Sequence, residues 1–553
     1  MIRASQPLDP LPSRFPRSTI RMYRRGMNPS QSGPVATLSD QPVTGNPGFF
    51  VRAFNRILTR HLMNAALLVL VALYATGILF QPELPQRDVD LWWHLANARI
   101  LTTTHAFIHV EPYSFSVVAQ PWINPEWLSE LPFWFGYRAF GLTGIYLVTV
   151  LVLSANILLV YWRSCLKARH AGAALGTAAL GFLLMTINAG PRTILFAYLV
   201  LSVELAILEA TERGKTGLLW LLPPLFCIWI NLHGSWIIGL GLLGLYVLCG
   251  AFTLKVGVFE QEAFPSRDRA RLILVFLASV VALILNPYGW RLLWNPIDML
   301  LNQNQMMSIA QEWQPLNIST GAGIASWLCI ALMIVANCVR GRKWKVYELA
   351  FIFFAWFEAF NHIRFTFLAC LLVIPMLTVD VARSFCSPPD EKTIPAMNAL
   401  FAAAALCIIA FYFPTEARLQ KSLAAQFPLQ SIAAIQPSWR TFNQDAIGGM
   451  MDFNLKPTVY DTRYDTFVHH GVLADYLGVV HFVEPLKIFD KYRIDHVLVQ
   501  ADSPLSTLIE HAPGWRVEMR EGTGHDAYEL LAKTSRAVEN NSPCAEPSAL
   551  AKH

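Results

Sequence analysis

Long apolar runs, separated by short polar breaks, fill the middle of this chain, and the pattern changes at both ends. A helix needs about 20 apolar residues to cross a bilayer. Runs of that order lie at 62–81, 141–161, 171–189, 194–211, 217–232, 235–253, 271–287, 321–339, 347–361, 364–382 and 395–413. They predict about eleven membrane-spanning helices. Two long polar stretches break the series: the loop 82–140 and everything beyond about Pro414. In the loop, 90–103 and 125–140 have amphipathic helical spacing, with Leu91, Leu95 and Ala98 on one face beside Trp92 and Trp93. Tryptophan favours the membrane interface, so two helices lying on the membrane surface are expected. Beyond Pro414, 458–460 and 496–499 read as buried strands, 473–477 and 505–510 as helices, and 516–519 and 528–531 as edge strands.

The expected fold is a polytopic all-α membrane domain over 61–413, including the loop 82–140, with a small C-terminal α/β domain over 414–535. The polar ends, 1–60 and 536–553, read as disordered tails. Composition agrees with membrane solvation: 54% of the 553 residues are hydrophobic, 15% are charged, and mean hydropathy is +0.39. Soluble chains carry about 25% charged residues. The first apolar run starts near Leu62, too late for a secretory signal, and reads as a retained helix.

The net charge of +5 is small, and its placement carries the information. With the N-terminal arginines inside, counting spans puts Arg163, Lys167 and Arg169 on the same side. Arg213, Lys215, Arg267, Arg271, Arg340, Arg342, Lys343, Lys345 and Arg383 fall there too. Basic short loops mark the cytoplasmic side. A multi-pass protein of the bacterial inner membrane is therefore expected, with a cytoplasmic N-terminus and a periplasmic C-terminal domain. No basic patch suits nucleic acid. The nine cysteines lie mostly in apolar runs and read as small apolar fillers, without a disulfide or metal pattern.

By the same count, most conspicuous polar residues gather at the external surface. They are Asp88, Asp90, His94, Asn124, Glu126, Arg192, Asn231, His233, Asn286, Tyr288, Glu312, His362 and Arg364. Ionisable groups at a membrane are costly and usually functional. Asp88 and Asp90 can supply a general base or hold a divalent cation such as Mg or Mn, and Asp90 can also cap the helix that starts at Leu91. Arg192 and Arg364 suit a phosphate by bidentate hydrogen bonding. Carboxylates beside phosphate-binding cations at a lipid surface point to a polar head on a lipid phosphate. The segment Tyr460-Asp-Thr-Arg-Tyr-Asp465 reads equally as a site-facing loop or an ordinary one.

Three stretches carry a family resemblance: Asp88-Val-Asp-Leu-Trp-Trp-His-Leu95, Pro112-Tyr-Ser-Phe-Ser116 and Pro121-Trp-Ile-Asn-Pro-Glu-Trp-Leu128. With Trp229-Ile-Asn-Leu-His-Gly234, Asn286-Pro-Tyr-Gly289 and Glu312-Trp313, they resemble bacterial GT-C-type integral membrane glycosyltransferases over roughly residues 60–535. That resemblance implies a polyprenyl-phosphate-linked sugar donor, an extracytoplasmic acceptor, and Asp88 or Asp90 as the base. It implies a phosphate held by Arg192, Arg364 or His233, help from Asn124 and Glu126 at the acceptor, and inversion at the anomeric carbon. Competing readings are an O-antigen polymerase or ligase-like enzyme, a transporter, and a non-catalytic scaffold. The large first loop with early carboxylates favours the glycosyltransferase. The mid-helix acids are few, chiefly Glu204 and Glu358, which disfavours a transporter.

Overall fold

Each predicted apolar run is helical in the computed structural model. The structure describes residues 49–79, 81, 88–302, 307–308, 310–387 and 394–534, with only the backbone described for 49–60 and 525. Of the tails expected over 1–60 and 536–553, residues 1–48 and 536–553 lie outside the described residues. The chain divides into two compact units, Met1–Phe54 and Asn55–His553. The described part of the first is the opening of helix α1, Phe49–Ala75. That helix begins before the apolar run, so residues 49–60 are helical rather than part of a disordered tail.

The membrane domain continues through α2 (Asp90–Thr104), α3 (Trp127–Phe140), α4 (Leu142–Ala168), α5 (Ala171–Phe182), α6 (Ile194–Thr211), α7 (Leu222–Leu232), α8 (Trp236–Cys249), α9 (Ser266–Ala282) and α10 (Trp290–Asn302). It closes with α11 (Gly321–Val339), α12 (Val346–Asn361), α13 (Ile363–Phe385) and α14 (Pro395–Tyr412). Among the described residues, five helices are long and apolar enough to cross a membrane: α4, α6, α11, α13 and α14. Shorter apolar helices cover His61–Ala75, Ala171–Phe182, Thr216–Leu232 and Trp236–Cys249. The local sequence sets the helix ends. Thr320 caps α11 by accepting from the Gly323 N–H at 3.2 Å, and Pro395 opens α14, where a missing N–H costs nothing. Where α3 crosses α4, a Cβ on Gly144 would stand 1.9 Å from the Gly136 carbonyl, so only glycine allows this approach.

The loop 82–140 differs from expectation. Residues Leu91 to Ala98 of α2 are all buried, so α2 is enclosed by protein rather than laid on a membrane surface. Trp92 packs against Phe427 and Phe453, with ring centroids 5.9 and 5.6 Å away, and its role is core packing. The predicted cap is corrected as well. Val89 occupies the N-cap, Asp90 is the first helical residue, and the Asp90 N–H donates to Asp88 Oδ1 at 3.2 Å.

The C-terminal segment forms a small mixed sheet of β3 (Thr441–Asn443), β4 (His496–Gln500), β5 (Trp515–Glu521) and β6 (Tyr528–Lys533). A separate hairpin, β1 (Leu254–Val256) with β2 (Phe259–Gln261), joins α8 to α9. The sheet order is β3-β4-β6-β5, parallel between β3 and β4 and antiparallel elsewhere. Hence β6, expected at an edge, is interior. Residues 458–460 are not a sheet strand. Thr458 instead bridges Ser114 of the first loop, and Phe115 N–H donates to the Thr458 carbonyl at 3.1 Å. Ser116 adds a 2.6 Å bond to the Val459 carbonyl. The Pro-Tyr-Ser-Phe-Ser motif is thus the strip on which the C-terminal domain docks.

Candidate functional site

Two further contacts fix the docked domain. The Arg463 guanidinium grips Glu111 through both oxygens at 2.8 Å and Asp461 at 2.6 and 2.9 Å, almost fully buried. Its face lies 4.7 Å from the Trp122 ring centroid. The helix Asp445–Phe453 crosses the start of α2, where a Cβ on Gly449 would meet the Val89 carbonyl at 2.6 Å. These contacts bring the 460–465 segment to the acidic opening of α2.

Between them lies a cavity of about 1370 Å³. Its head is lined by Asp88, Asp90, His94, Glu126, Arg192, His233, Glu312, His362 and Arg364, and on the other side by Thr462, Arg463, Tyr464 and Asp465. Its arm is apolar. Ile237, Ile238, Gly241, Leu242 and Leu245 share one face of α8, opposite Pro296, Met299 and Leu300 of α10 and Phe354 and Glu358 of α12.

The head is a connected set of charges. Arg192 donates to Asp88 Oδ2 at 2.6 Å and to Glu312 Oε2 at 2.9 Å. Arg364 binds the other Glu312 oxygen at 2.8 Å, and its guanidinium lies 4.4 Å from the Trp313 ring centroid. Asp88 and the other carboxylates raise the Arg192 pKa against burial. Burial pushes Glu312 up, but the two arginines outweigh it and hold its carboxyl below its usual value. Among the described residues, the buried Arg364 Nε–H has no hydrogen-bond partner.

Asp90 has a different environment. Its Oδ1 accepts from Trp93 Nε1 at 3.3 Å and from the Thr462 hydroxyl, while Oδ2 takes no hydrogen bond from a described residue. Burial first and the Asp88 charge second push its pKa up to about 6, against the pull of Arg192, Thr462 and His94. Nearby, burial also pushes Asp465 up to about 6.

A second chain of groups runs from His233 to Glu130. His233 Nδ1 accepts the Ser235 N–H at 3.0 Å, which places its proton on Nε2, 3.2 Å from Glu126 Oε1. Burial lowers the His233 pKa, so this imidazole is kept neutral. Glu126 Oε2 accepts from Thr193 at 2.6 Å and lies 3.5 Å from His94 Nε2. His94 Nδ1 is 2.9 Å from Glu130, which also accepts from Asn97 and Asn124. Burial opposes charge on His94, yet Glu130, Glu126 and Asp90 raise its pKa. Burial raises Glu130 in turn.

Four of the expected site residues do not line the cavity. Asn124 supports Glu130 and accepts the Glu126 N–H at 3.1 Å. Asn231 joins Trp127 Nε1 to the carbonyls of Cys227 and Leu285. Asn286 closes its own turn, and Tyr288 packs against Phe107 and His109. His362 lines the cavity, with Nδ1 2.8 Å from the Trp313 carbonyl. Sequence reasoning missed Glu130 and Thr193, whose roles depend on contacts far along the chain, and left 460–465 open.

The two carboxylates expected to hold Mg or Mn are already engaged by other side chains. Asp88 is engaged by an arginine and Asp90 by a hydroxyl and an indole. Among the described residues, no group of three or more His, Cys, Asp or Glu side chains is arranged to hold a metal.

No family model and no curated protein matches the sequence. The fold does match solved structures. The oligosaccharyltransferase of Archaeoglobus fulgidus tethered with an acceptor peptide has a TM-score of 0.51 at 10% identity, covering 81% of this chain and 70% of that chain. Its apo form gives 0.51 at 9% identity with the same coverage. ArnT from Cupriavidus metallidurans bound to undecaprenyl phosphate gives 0.46 at 14% identity, over 85% of this chain and 98% of that one. This chain is therefore a multi-span membrane protein with a GT-C-like fold and a small C-terminal mixed-sheet domain.

Proposed function

We propose that the chain is an integral-membrane glycosyltransferase that moves a sugar from a polyprenyl-phosphate carrier to an extracytoplasmic lipid, glycan or protein acceptor. The observation that carries this reading is one cavity joining a charged head, with Arg192 and Arg364, to an apolar arm between α8, α10 and α12. A lipid phosphate has that division of polarity. The likeness of the fold to an oligosaccharyltransferase supports it.

In this reading the isoprenoid lies along Ile238, Leu242, Leu245 and Met299, and the phosphate meets Arg364 and Arg192. Glu312 already holds both guanidinium groups and acts as a stand-in anion that the phosphate displaces. Asp88 fixes Arg192. Asp90, with one oxygen unengaged, takes the proton of the acceptor hydroxyl as that oxygen attacks the anomeric carbon. The bond to phosphate breaks, and the lipid phosphate leaves with the bonding electrons. Attack opposite the leaving group inverts the anomeric carbon. His233 and His94 hold Glu126 on the acceptor side.

The bundle has a second charged end, which supports the proposed orientation. Arg163 pairs with Glu209 at 2.8 Å, and Lys345 with Glu212 at 2.7 Å. Arg342 pairs with Glu348 and Asp380, each at 2.7 Å. Thr193 and His362 flank the cavity at one end of α6 and α12, and this network lies at the other. With this charged end, which carries the short-loop lysines and arginines, in the cytoplasm of a bacterial inner membrane, the cavity and the C-terminal domain face outward.

The test is binding of undecaprenyl phosphate and of undecaprenol to the purified chain in lipid nanodiscs. The phosphate is expected to bind about tenfold or more tighter than the alcohol, with that preference lost in Arg364→Ala. Equal binding of the two lipids by the wild type overturns the donor assignment.

A further inference from the structure

A second cleft, of about 420 Å³, opens in the C-terminal domain. That volume falls in the range of small-ligand pockets, ~300–1,000 Å³. Tyr464 and Phe482 give it open aromatic surface, backed by the buried rings of Phe442, Tyr460 and Tyr476. Tyr476 is sandwiched, with ring centroids 4.1 Å from Tyr460 and 5.7 Å from Phe442, both near-parallel. Its hydroxyl accepts the Asp445 N–H at 2.8 Å and so fixes the polar corner formed by Gln444 and Asp445. At the rim Phe482 is 45% exposed and Val480 41%, an apolar edge left open to solvent. Phe482 is also held at φ +62°, a left-handed conformation that costs a non-glycine residue energy.

The cleft adjoins the charged cavity across a shared wall. Asp445 and Tyr464 stand in the walls of both. The cleft thus lies beside the cavity that Asp90 lines.

We infer that this cleft is an acceptor subsite that holds a neutral saccharide unit. A pyranose ring has apolar C–H faces and a hydroxyl edge. Aromatic surface with an amide and a carboxylate at one corner matches that division, whereas a wholly apolar ligand would leave Gln444 and Asp445 unused. No lysine, arginine or histidine lines the cleft among the described residues, and Asp445 repels anions, so an acidic sugar is excluded. The assignment rests on the transferase reading and names its acceptor as a glycan or glycolipid.

The experiment is saturation-transfer NMR on the full chain in nanodiscs, with maltotriose, triacetylchitotriose and trigalacturonate as probes. At least one neutral trimer is expected to bind and trigalacturonate is not. Binding is expected to weaken about tenfold in Phe482→Asn, which suits the left-handed backbone, and in Gln444→Ala. Neither neutral trimer binding, trigalacturonate binding as well as a neutral trimer, or binding unchanged in both variants overturns the assignment. Undecaprenyl phosphate binding is read on the same samples. Its loss in the wild type counts against the transferase reading, whereas loss of saccharide binding alone counts against the cleft.

Discussion

The Thr462 hydroxyl, in the C-terminal domain, donates to the Asp90 carboxylate at the start of α2. The two residues are 372 apart in sequence, and this bond makes the docked domain part of the environment that sets the acidity of the proposed base. A hydrogen bond to a carboxylate favours its charged form, and here it pulls down a pKa that burial has raised to about 6. Transfer is therefore expected to rise with pH through a midpoint near 6. Thr462→Val is expected to move that midpoint upward, as read from kcat/KM against pH. An unmoved midpoint would show that Thr462 does not tune the base.

Asp90 also has a stability signature. Its pKa is about 6 in the fold against 3.8 for the free side chain, so the folded state binds more protons between those values. Stability from this group is present below about pH 4 and falls as pH rises toward 6. Asp90→Asn, which cannot ionise, is expected to raise the thermal unfolding temperature at pH 7 while lowering kcat by about 10²–10⁴-fold. Thermal scans at pH 4 and pH 7 check this, and the stabilisation is expected at pH 7 only.

Arg463 is a lock between two domains. Its pairs with Glu111 and Asp461 are buried, and removing one partner from such a pair costs about 3–5 kcal/mol. Arg463→Ala is expected to expose the 454–463 segment to limited proteolysis and to lower the unfolding temperature. Arg516→Ala, which removes an exposed cation paired with Glu518 on the same strand, serves as the control.

Glu312 holds the two arginines that the donor phosphate needs. Glu312→Gln removes the competing charge and is expected to tighten undecaprenyl phosphate binding by about three- to tenfold, whereas Arg364→Ala weakens it. Weaker binding in Glu312→Gln would mean that Glu312 orients the arginines rather than standing in for the phosphate.

The membrane helices were legible in the sequence because each of them buries or exposes a long apolar run, and that signal is local. The carboxylates and arginines of the cavity head were legible for the opposite reason: charge beside a bilayer is costly and stands out. What escaped was long-range. Trp92 and Trp93 read as interfacial because nothing near them announces Phe427, Phe453 or Thr462 as their partners. Of 458–460, expected as a strand, Thr458 alone pairs, and its partner is Ser114, not the domain's own sheet. Glu130 lies within the amphipathic stretch 125–140, and no local pattern sets it apart. Its burial against His94, Asn97 and Asn124 follows from how α3 folds back on α2.

The most direct measurement is sugar transfer from a panel of radiolabelled polyprenyl-phosphate sugars by the purified wild type beside Asp88→Asn and Asp90→Asn. The expected result is transfer from at least one donor, lowered by about 10²-fold or more in Asp90→Asn with lipid-donor binding retained, and weakened less in Asp88→Asn. No transfer by the wild type from any donor, or undiminished transfer by Asp90→Asn, would contradict the account.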